Sequence, residues 1–171
     1  MFFLDKHAVE IERKFIVALP SLEFISTLPD YSKSEITQIY LCGSAGVTHR
    51  IRKRVYSDRC EYTETKKIRI DESSAFEDER EIDSECFYML SQKIKEGTSP
   101  ISKERYTFSV GAQLFELDVY PQWKRSAILE AELTHRECEV ELPPFIKLIR
   151  EVTGNKAYSN AGMAKSFPPE E

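Results

Sequence analysis

The feature that most constrains this chain is the way charge alternates with apolar residues, segment after segment. In Val9-Glu10-Ile11-Glu12-Arg13-Lys14-Phe15, a strand would turn Glu10, Glu12 and Lys14 one way and Val9, Ile11 and Phe15 the other. The same parity puts Arg50, Arg52 and Arg54 on one face, and Thr63, Thr65, Lys67 and Arg69 on another. Glu77, Glu79 and Glu81 share a face; Lys103 and Arg105 oppose Tyr106 and Phe108. Glu116 and Asp118 oppose Phe115, Leu117 and Val119, and Glu130 and Glu132 oppose Leu129, Ala131 and Leu133. For one strand alone, this is the pattern of a solvated outer face. Here the charges are sorted by sign, strand by strand, although like charges two residues apart lie only about 7 Å from each other. Sorted carboxylates and sorted cations suit two halves of a binding site.

The alternating segments predict eight strands, at 8–17, 36–42, 48–57, 61–70, 76–83, 102–110, 113–121 and 127–134. Helices are predicted over 21–28, after Pro20-Ser21, and over 85–96, capped by Ser84 with Phe87, Leu90 and Ile94 on one face. Two more are predicted over 144–152, after Pro143-Pro144, and over 159–166. This order predicts a mostly β, α+β fold, either a closed barrel or a strongly curved sheet with a few flanking helices.

At 171 residues, the chain fits one domain spanning 1–171. No apolar run approaches the roughly 20 residues of a membrane helix, and Met1–Lys6 is too short for a secretory signal. Cys42, Cys60, Cys86 and Cys138 are far apart with no C-x-x-C spacing, which predicts free thiols in a reducing cytoplasm rather than a zinc site. A net charge of -5 argues against nucleic acid as a partner but not against a local cationic pocket. The expected partner is a small molecule, with no membrane; the oligomeric state is left open.

The pairs Glu10/Glu12, Glu116/Asp118 and Glu130/Glu132 offer hard oxygen ligands of the kind Mg²⁺ or Mn²⁺ prefers. Arginine forks and lysine point charges suit phosphate oxygens. So many cations, beside a carboxylate-held metal, imply a ligand carrying several phosphates.

Glu10-Ile11-Glu12-Arg13-Lys14 resembles the E-x-E-x-K signature of the CYTH family, the triphosphate tunnel metalloenzymes. The resemblance continues in order: Gln38-Ile39-Tyr40-Leu41, Arg50-Ile51-Arg52, Thr65-Lys66-Lys67, Glu77-Asp78-Glu79, Lys103-Glu104-Arg105-Tyr106, Phe115-Glu116-Leu117-Asp118 and Glu130-Ala131-Glu132. Arg150-Glu151-Val152-Thr153 and Tyr158-Ser159-Asn160, followed by Lys165, resemble its C-terminal signature. It implies a closed eight-stranded antiparallel tunnel that hydrolyses the terminal phosphoryl group of a triphosphate with Mg²⁺ or Mn²⁺. Glu10, Glu12, Asp118, Glu130 and Glu132 would hold the metal. Lys14, Arg50, Arg52, Lys67, Glu79, Lys103, Arg105 and Lys165 would form the triphosphate site, with Lys14, Tyr40 and Lys103 in catalytic roles. Inorganic tripolyphosphate is the expected substrate. The alternatives are a thiamine or nucleoside triphosphatase, a class IV-type adenylyl cyclase, and a non-catalytic polyphosphate- or nucleotide-binding module. His49-Arg50-Ile51-Arg52 lacks the H-F-R pattern of the cyclase branch, and the arginine that the family often has just before the E-x-E is missing, with Ala75 nearby. Parity favours Lys67 over Lys66, because Lys67 shares a face with Thr65.

Other residues read as structural: His7, His49 and His135 by their scatter, Trp123 by packing in a strand connection, and Glu151 as a fold residue rather than a metal ligand. Lys147 and Arg150 are expected to complement a helix dipole, and Phe167–Glu171 to fray.

Overall fold

The computed structural model describes residues 7–171, with side chains from Val9 onward. The Met1–Lys6 stretch and the His7 side chain lie outside the described residues. Nine strands form one antiparallel sheet: β1 (His7–Ala18), β2 (Ser32–Leu41), β3 (Val47–Val55), β4 (Cys60–Arg69), β5 (Ser74–Glu81), β6 (Ile101–Val110), β7 (Gln113–Val119), β8 (Ser126–Glu132) and β9 (Leu148–Glu151). The order is β5-β4-β3-β2-β6-β7-β8-β1-β9, and β5 also pairs with β1, so β1 to β8 close into a barrel. Three short α-helices flank it: α1 (Leu22–Ile25), α2 (Ser84–Ser91) and α3 (Asn160–Lys165), the last preceded by a 3₁₀ turn at Lys156–Tyr158. No helix among the described residues is long and apolar enough to cross a membrane.

Directly opposed residues in an antiparallel pair point to the same face. Following the register around the barrel therefore tests the alternation. Lys14 faces Glu130, Glu130 faces Glu116, Asp118 faces Arg105, and Arg105 faces Ser34. Gln38 faces Arg52, Arg50 faces Thr65, Thr65 faces Glu79, and Ala75 faces Glu10. The circuit closes without a change of parity, so the sorted charged faces of seven strands and the Ser34, Gln38 and Tyr40 face of β2 line one interior.

An interior of ions leaves the apolar core outside the barrel and at one end of it. On the outer wall, Phe15, Val17, Tyr106, Phe108, Phe115, Leu117 and Leu129 pack under Ile25 of α1 and under Ile146. Ile39, Leu41 and Ile51 pack under Phe87 of α2. Inside, Ile16, Ile101 and Ile128 meet Tyr40, Tyr120, Trp123, Tyr158 and Met163 in a plug. Trp123 is only 4% exposed, in keeping with a packing role.

Several expectations are corrected. The segment 144–152 is not a helix: Ile146 N–H closes a turn onto the Pro143 carbonyl (2.9 Å), and Leu148–Glu151 becomes β9. Its pairing with β1 is the physical reason, because β1 leaves β5 after Ile11 and its backbone groups need new partners along Phe15–Val17. Arg150 accordingly serves no helix dipole; its guanidinium meets Glu171 and the Tyr158 hydroxyl. The second helix is capped by Asp83, whose Oδ1 accepts from Cys86 N–H at 2.7 Å, rather than by Ser84. It stops at Ser91, and Ile94 bridges to Leu41 instead.

The C-terminal residues do not fray. Phe167 packs on Tyr120 and Trp123, with ring centroids 5.4 and 5.6 Å away. Trp123 Nε1–H donates to the Pro168 carbonyl (3.0 Å), Lys124 N–H to the Glu170 carboxylate (3.0 Å), and Ser126 Oγ–H to the Glu171 carbonyl (2.8 Å). Deleting Phe167–Glu171 is expected to uncover Trp123, the single tryptophan, and to move its fluorescence emission to longer wavelength. An unchanged spectrum would show that something else covers the ring.

Candidate active site

The barrel encloses a cavity of about 370 Å³, in the range of small-molecule sites. Its described lining includes seven cations, Lys14, Arg50, Arg52, Arg54, Lys67, Arg69 and Arg105, and seven carboxylates, Glu10, Glu12, Glu77, Glu79, Glu116, Glu130 and Glu132. Tyr40, Thr48, Ser159 and Asn160 also reach it.

The walls differ in sign. Strands β3 and β4 carry the cationic side. Arg52 Nε–H donates to Gln38 Oε1 at 2.9 Å, and Gln38 Nε2–H in turn to the Tyr40 hydroxyl at 3.3 Å. Arg54 Nε–H donates to Ser34 Oγ at 2.9 Å. Arg50 Nε is buried without a hydrogen-bond partner among the described residues. Burial, with Arg50 and Arg105 nearby, pulls Arg52 down to about 9. A partnerless buried N–H and a guanidinium crowded by its own kind both call for an anion.

Strands β1, β7 and β8 carry the acidic side. Arg105 reaches in among their carboxylates, with Nε and Nη2 bidentate on Asp118 (2.7 and 2.8 Å), Nη2 on Glu130 (3.1 Å) and Nη1 on Glu116. Lys14 Nζ lies 3.1 Å from Glu130 and 4.0 Å from Glu12. Lys67 Nζ lies 2.8 Å from Glu77 and 3.5 Å from Glu10. Lys66 is exposed, so the tunnel lysine is Lys67, as parity requires.

The donor chemistry fits a divalent cation. Glu12 stands directly opposite Glu132, and Glu116 opposite Glu130. Like charges so placed are destabilising, and Glu132 has no ion-pair partner among the described residues. Burial, then Glu77 beside it, pushes Glu10 up to about 7, the mark of a carboxylate short of positive charge. In the present rotamers no three acidic, histidine or cysteine side chains among the described residues converge tightly enough to hold a metal ion.

Three residues that the sequence assigns to the site do not line the cavity: Lys103, Asp118 and Lys165. Lys103 and Asp118 point inward by parity but lie too deep. Their side chains are fully buried and paired at 2.5 Å. Burial works against the Asp118 charge, yet Arg105 and Lys103 hold its carboxyl below the usual range. Burial, reinforced by Arg105, brings Lys103 down to about 8. Lys165 ends α3 and is exposed. Conversely, Arg54, Arg69 and Glu77 reach the cavity without having been assigned to it, and Glu116, offered as a ligand by the acidic pairs alone, reaches it where Asp118 does not. Their parity was the available signal. Ser159 and Asn160 arrive from a helix start, where alternation carries no information. His49 is on the outer face, with Nε2 2.7 Å from Glu64, and Glu151 is held by Arg13.

A closed antiparallel tunnel with an ionic interior offers opposed cationic and acidic walls to one small ligand. No protein-family model matches the chain, and no curated protein does. Among solved structures, the crystal structure of the inorganic triphosphatase NE1496 matches with 30% identity, 94% of this chain and 97% of that one covered, and a TM-score of 0.60. This chain therefore belongs to the CYTH, or triphosphate tunnel metalloenzyme, family. PH1819 from Pyrococcus horikoshii OT3 (22% identity, 75% and 80% covered, TM-score 0.56) shows the same fold. So does the putative adenylyl cyclase HpAC1 from Hippeastrum, described with a dominant triphosphatase activity (17% identity, 73% and 80% covered, TM-score 0.51).

Replacing Asp118 with Asn would leave Lys103 and Arg105 buried without their main counter-ion. The expected loss is about 3–5 kcal/mol of stability, read from the urea midpoint at unchanged slope. A variant as stable as the parent would show that Glu116 and Glu130 suffice for both cations.

Proposed function

We propose that this protein is a divalent-metal-dependent triphosphatase that removes the terminal phosphoryl group of inorganic tripolyphosphate in the cytoplasm. The observation that carries the reading is the pairing of a cationic wall with an acidic wall across one small cavity. The similarity to the inorganic triphosphatase NE1496 over nearly the whole chain supports it.

In this reading the guanidiniums of Arg50, Arg52, Arg54 and Arg105, with Lys67, bind the phosphate oxygens. Glu10, Glu12, Glu130 and Glu132 would hold Mg²⁺ or Mn²⁺, with Glu116 beside them at the same wall. The metal, when bound, supplies Lewis acidity and a water of lowered pKa. Water oxygen attacks the terminal phosphorus and the bridging P–O bond breaks; orthophosphate keeps the water oxygen with one proton, and pyrophosphate leaves with the other, its remaining charge stabilised by the arginines. Lys14 and Tyr40 act as donors rather than bases. Burial opposes the Lys14 charge, but Glu130 and Glu12 more than offset it. Burial also raises Tyr40, which keeps its O–H at neutral pH. Lys103 and Asp118 fix Arg105 from below, and Glu79 takes the Thr65 hydroxyl (2.8 Å) beside Arg50. The exposed Lys165 takes no part in this grip.

The test is phosphate release from tripolyphosphate, with ATP and thiamine triphosphate in parallel, each with Mg²⁺, Mn²⁺ or EDTA. Release from tripolyphosphate that needs the metal is expected, with turnover falling about a hundredfold or more in a Glu10→Gln/Glu12→Gln variant. Turnover only of triphosphates carrying an organic group would replace the substrate. Tight binding without turnover would replace the enzyme with a binding module.

A further inference from the structure

Among the described residues, the cavity lining contains one carboxamide, that of Asn160, amid many ions. Asn160 opens α3, and several features fix its place. Ser159 caps the helix, its Oγ accepting from Gly162 N–H at 3.0 Å. Gly162 lets α3 sit against the preceding 3₁₀ turn, because a Cβ there would run into the Lys156 carbonyl oxygen. On its inner side, Asn160 Oδ1 accepts a hydrogen bond of 2.9 Å from the Tyr120 hydroxyl.

Tyr120 has little freedom to move. It is 1% exposed and wedged between Trp123 and Phe167, with ring centroids 5.8 and 5.4 Å away. Burial, with Asp118 and Glu130 nearby, pushes its hydroxyl well up, so it remains a donor at any working pH. A tyrosine that donates must meet the amide oxygen, not its nitrogen. The Asn160 Nδ2 group is thereby left as the free end of the amide, without a hydrogen-bond partner among the described residues.

We propose that Asn160 is a substrate-binding residue that presents Nδ2–H to a phosphate oxygen in the tunnel, and that Tyr120 is the positioning residue that fixes the amide. The inference rests on the phosphate-binding reading of the cavity. It adds a neutral amide donor, beside the Tyr40 hydroxyl, to a grip that is mostly ionic. Such a donor carries geometric information that point charges lack, because its direction is set by the flanking bond rather than by Coulomb attraction.

The experiment measures tripolyphosphate affinity by calorimetry without metal, and KM and kcat with Mg²⁺, for the parent, Asn160→Ala, Asn160→Asp, Tyr120→Phe and the Asn160→Ala/Tyr120→Phe double variant. Asn160→Ala is expected to weaken affinity and raise KM about tenfold, the worth of one hydrogen bond to a charged group. Asn160→Asp, which keeps the acceptor for Tyr120 but turns an anion toward the phosphate, should lose more. Tyr120→Phe keeps the ring packing and should lose about threefold, and the double variant should bind no worse than Asn160→Ala alone. Parent-like affinity in folded Asn160→Ala or Asn160→Asp would overturn the proposal. A Tyr120→Phe loss that persists in full on the Asn160→Ala background would make Tyr120 part of the barrel floor rather than a positioning residue. A parent protein with no affinity for tripolyphosphate would remove the phosphate-binding reading itself, and this inference with it.

Discussion

The guanidinium of Arg105 is the point on which the interior depends. It stands on β6 and meets Asp118 and Glu116 from β7 and Glu130 from β8, while Glu130 also meets Lys14 from β1. Four neighbouring strands are thus tied together from the inside. Such ions add little net stability, because removing them from water costs about as much as their attraction returns. What they add is uniqueness. A slip of one residue in any of these pairings would carry Arg105, Lys14 or Glu130 into the apolar outer layer and bring Phe108, Phe15 or Leu129 inside. Every ion would then lose its partner at once, so wrong registers are strongly disfavoured.

The same arrangement explains the unusual distribution of apolar burial. A barrel filled with side-chain ions cannot also contain its hydrophobic core. Stability has to come from the outer wall under α1 and α2, and from the plug of Ile16, Ile101, Ile128, Tyr120 and Trp123. The plug also forms the floor against which Tyr40, Lys103 and Asn160 are placed. Packing and site are therefore continuous: Phe167, at the end of the chain, touches the tyrosine whose hydroxyl holds a cavity-lining amide.

Much of this was legible from alternation alone. Each of the eight barrel strands was placed to within a few residues, and the choice of Lys67 over Lys66 followed from parity. Alternation says which face a side chain takes but not how far along the tunnel it lies. For that reason Glu116 and Asp118, identical in parity, could not be ranked: one lines the cavity and the other is buried beneath Arg105. Nor does local pattern report what a neighbouring strand lacks. Residues 144–152 carry apolar spacing compatible with a helix, yet the unpaired edge of β1 recruits Leu148–Glu151 as a strand. Asn160 stands in the segment that resembles the family's C-terminal signature, but its reach into the cavity escaped the alternation for a third reason. Its place depends on a glycine-permitted contact and a buried tyrosine 40 residues away, and neither leaves a periodic trace.

The cavity wall balances its own charges, cation against carboxylate, and this makes an empty tunnel tolerable. It also makes loading an exchange of partners. An anion that draws Lys67 from Glu77 and Glu10, or Lys14 from Glu130, leaves those carboxylates uncompensated in a place of reduced screening. Their attraction for any positive ion then rises, and by thermodynamic reciprocity a positive ion seated on the acidic wall raises the attraction of the opposite wall for an anion. The sorted strands therefore behave as a linked pair of ion exchangers, in which each occupant prepares the place of the other.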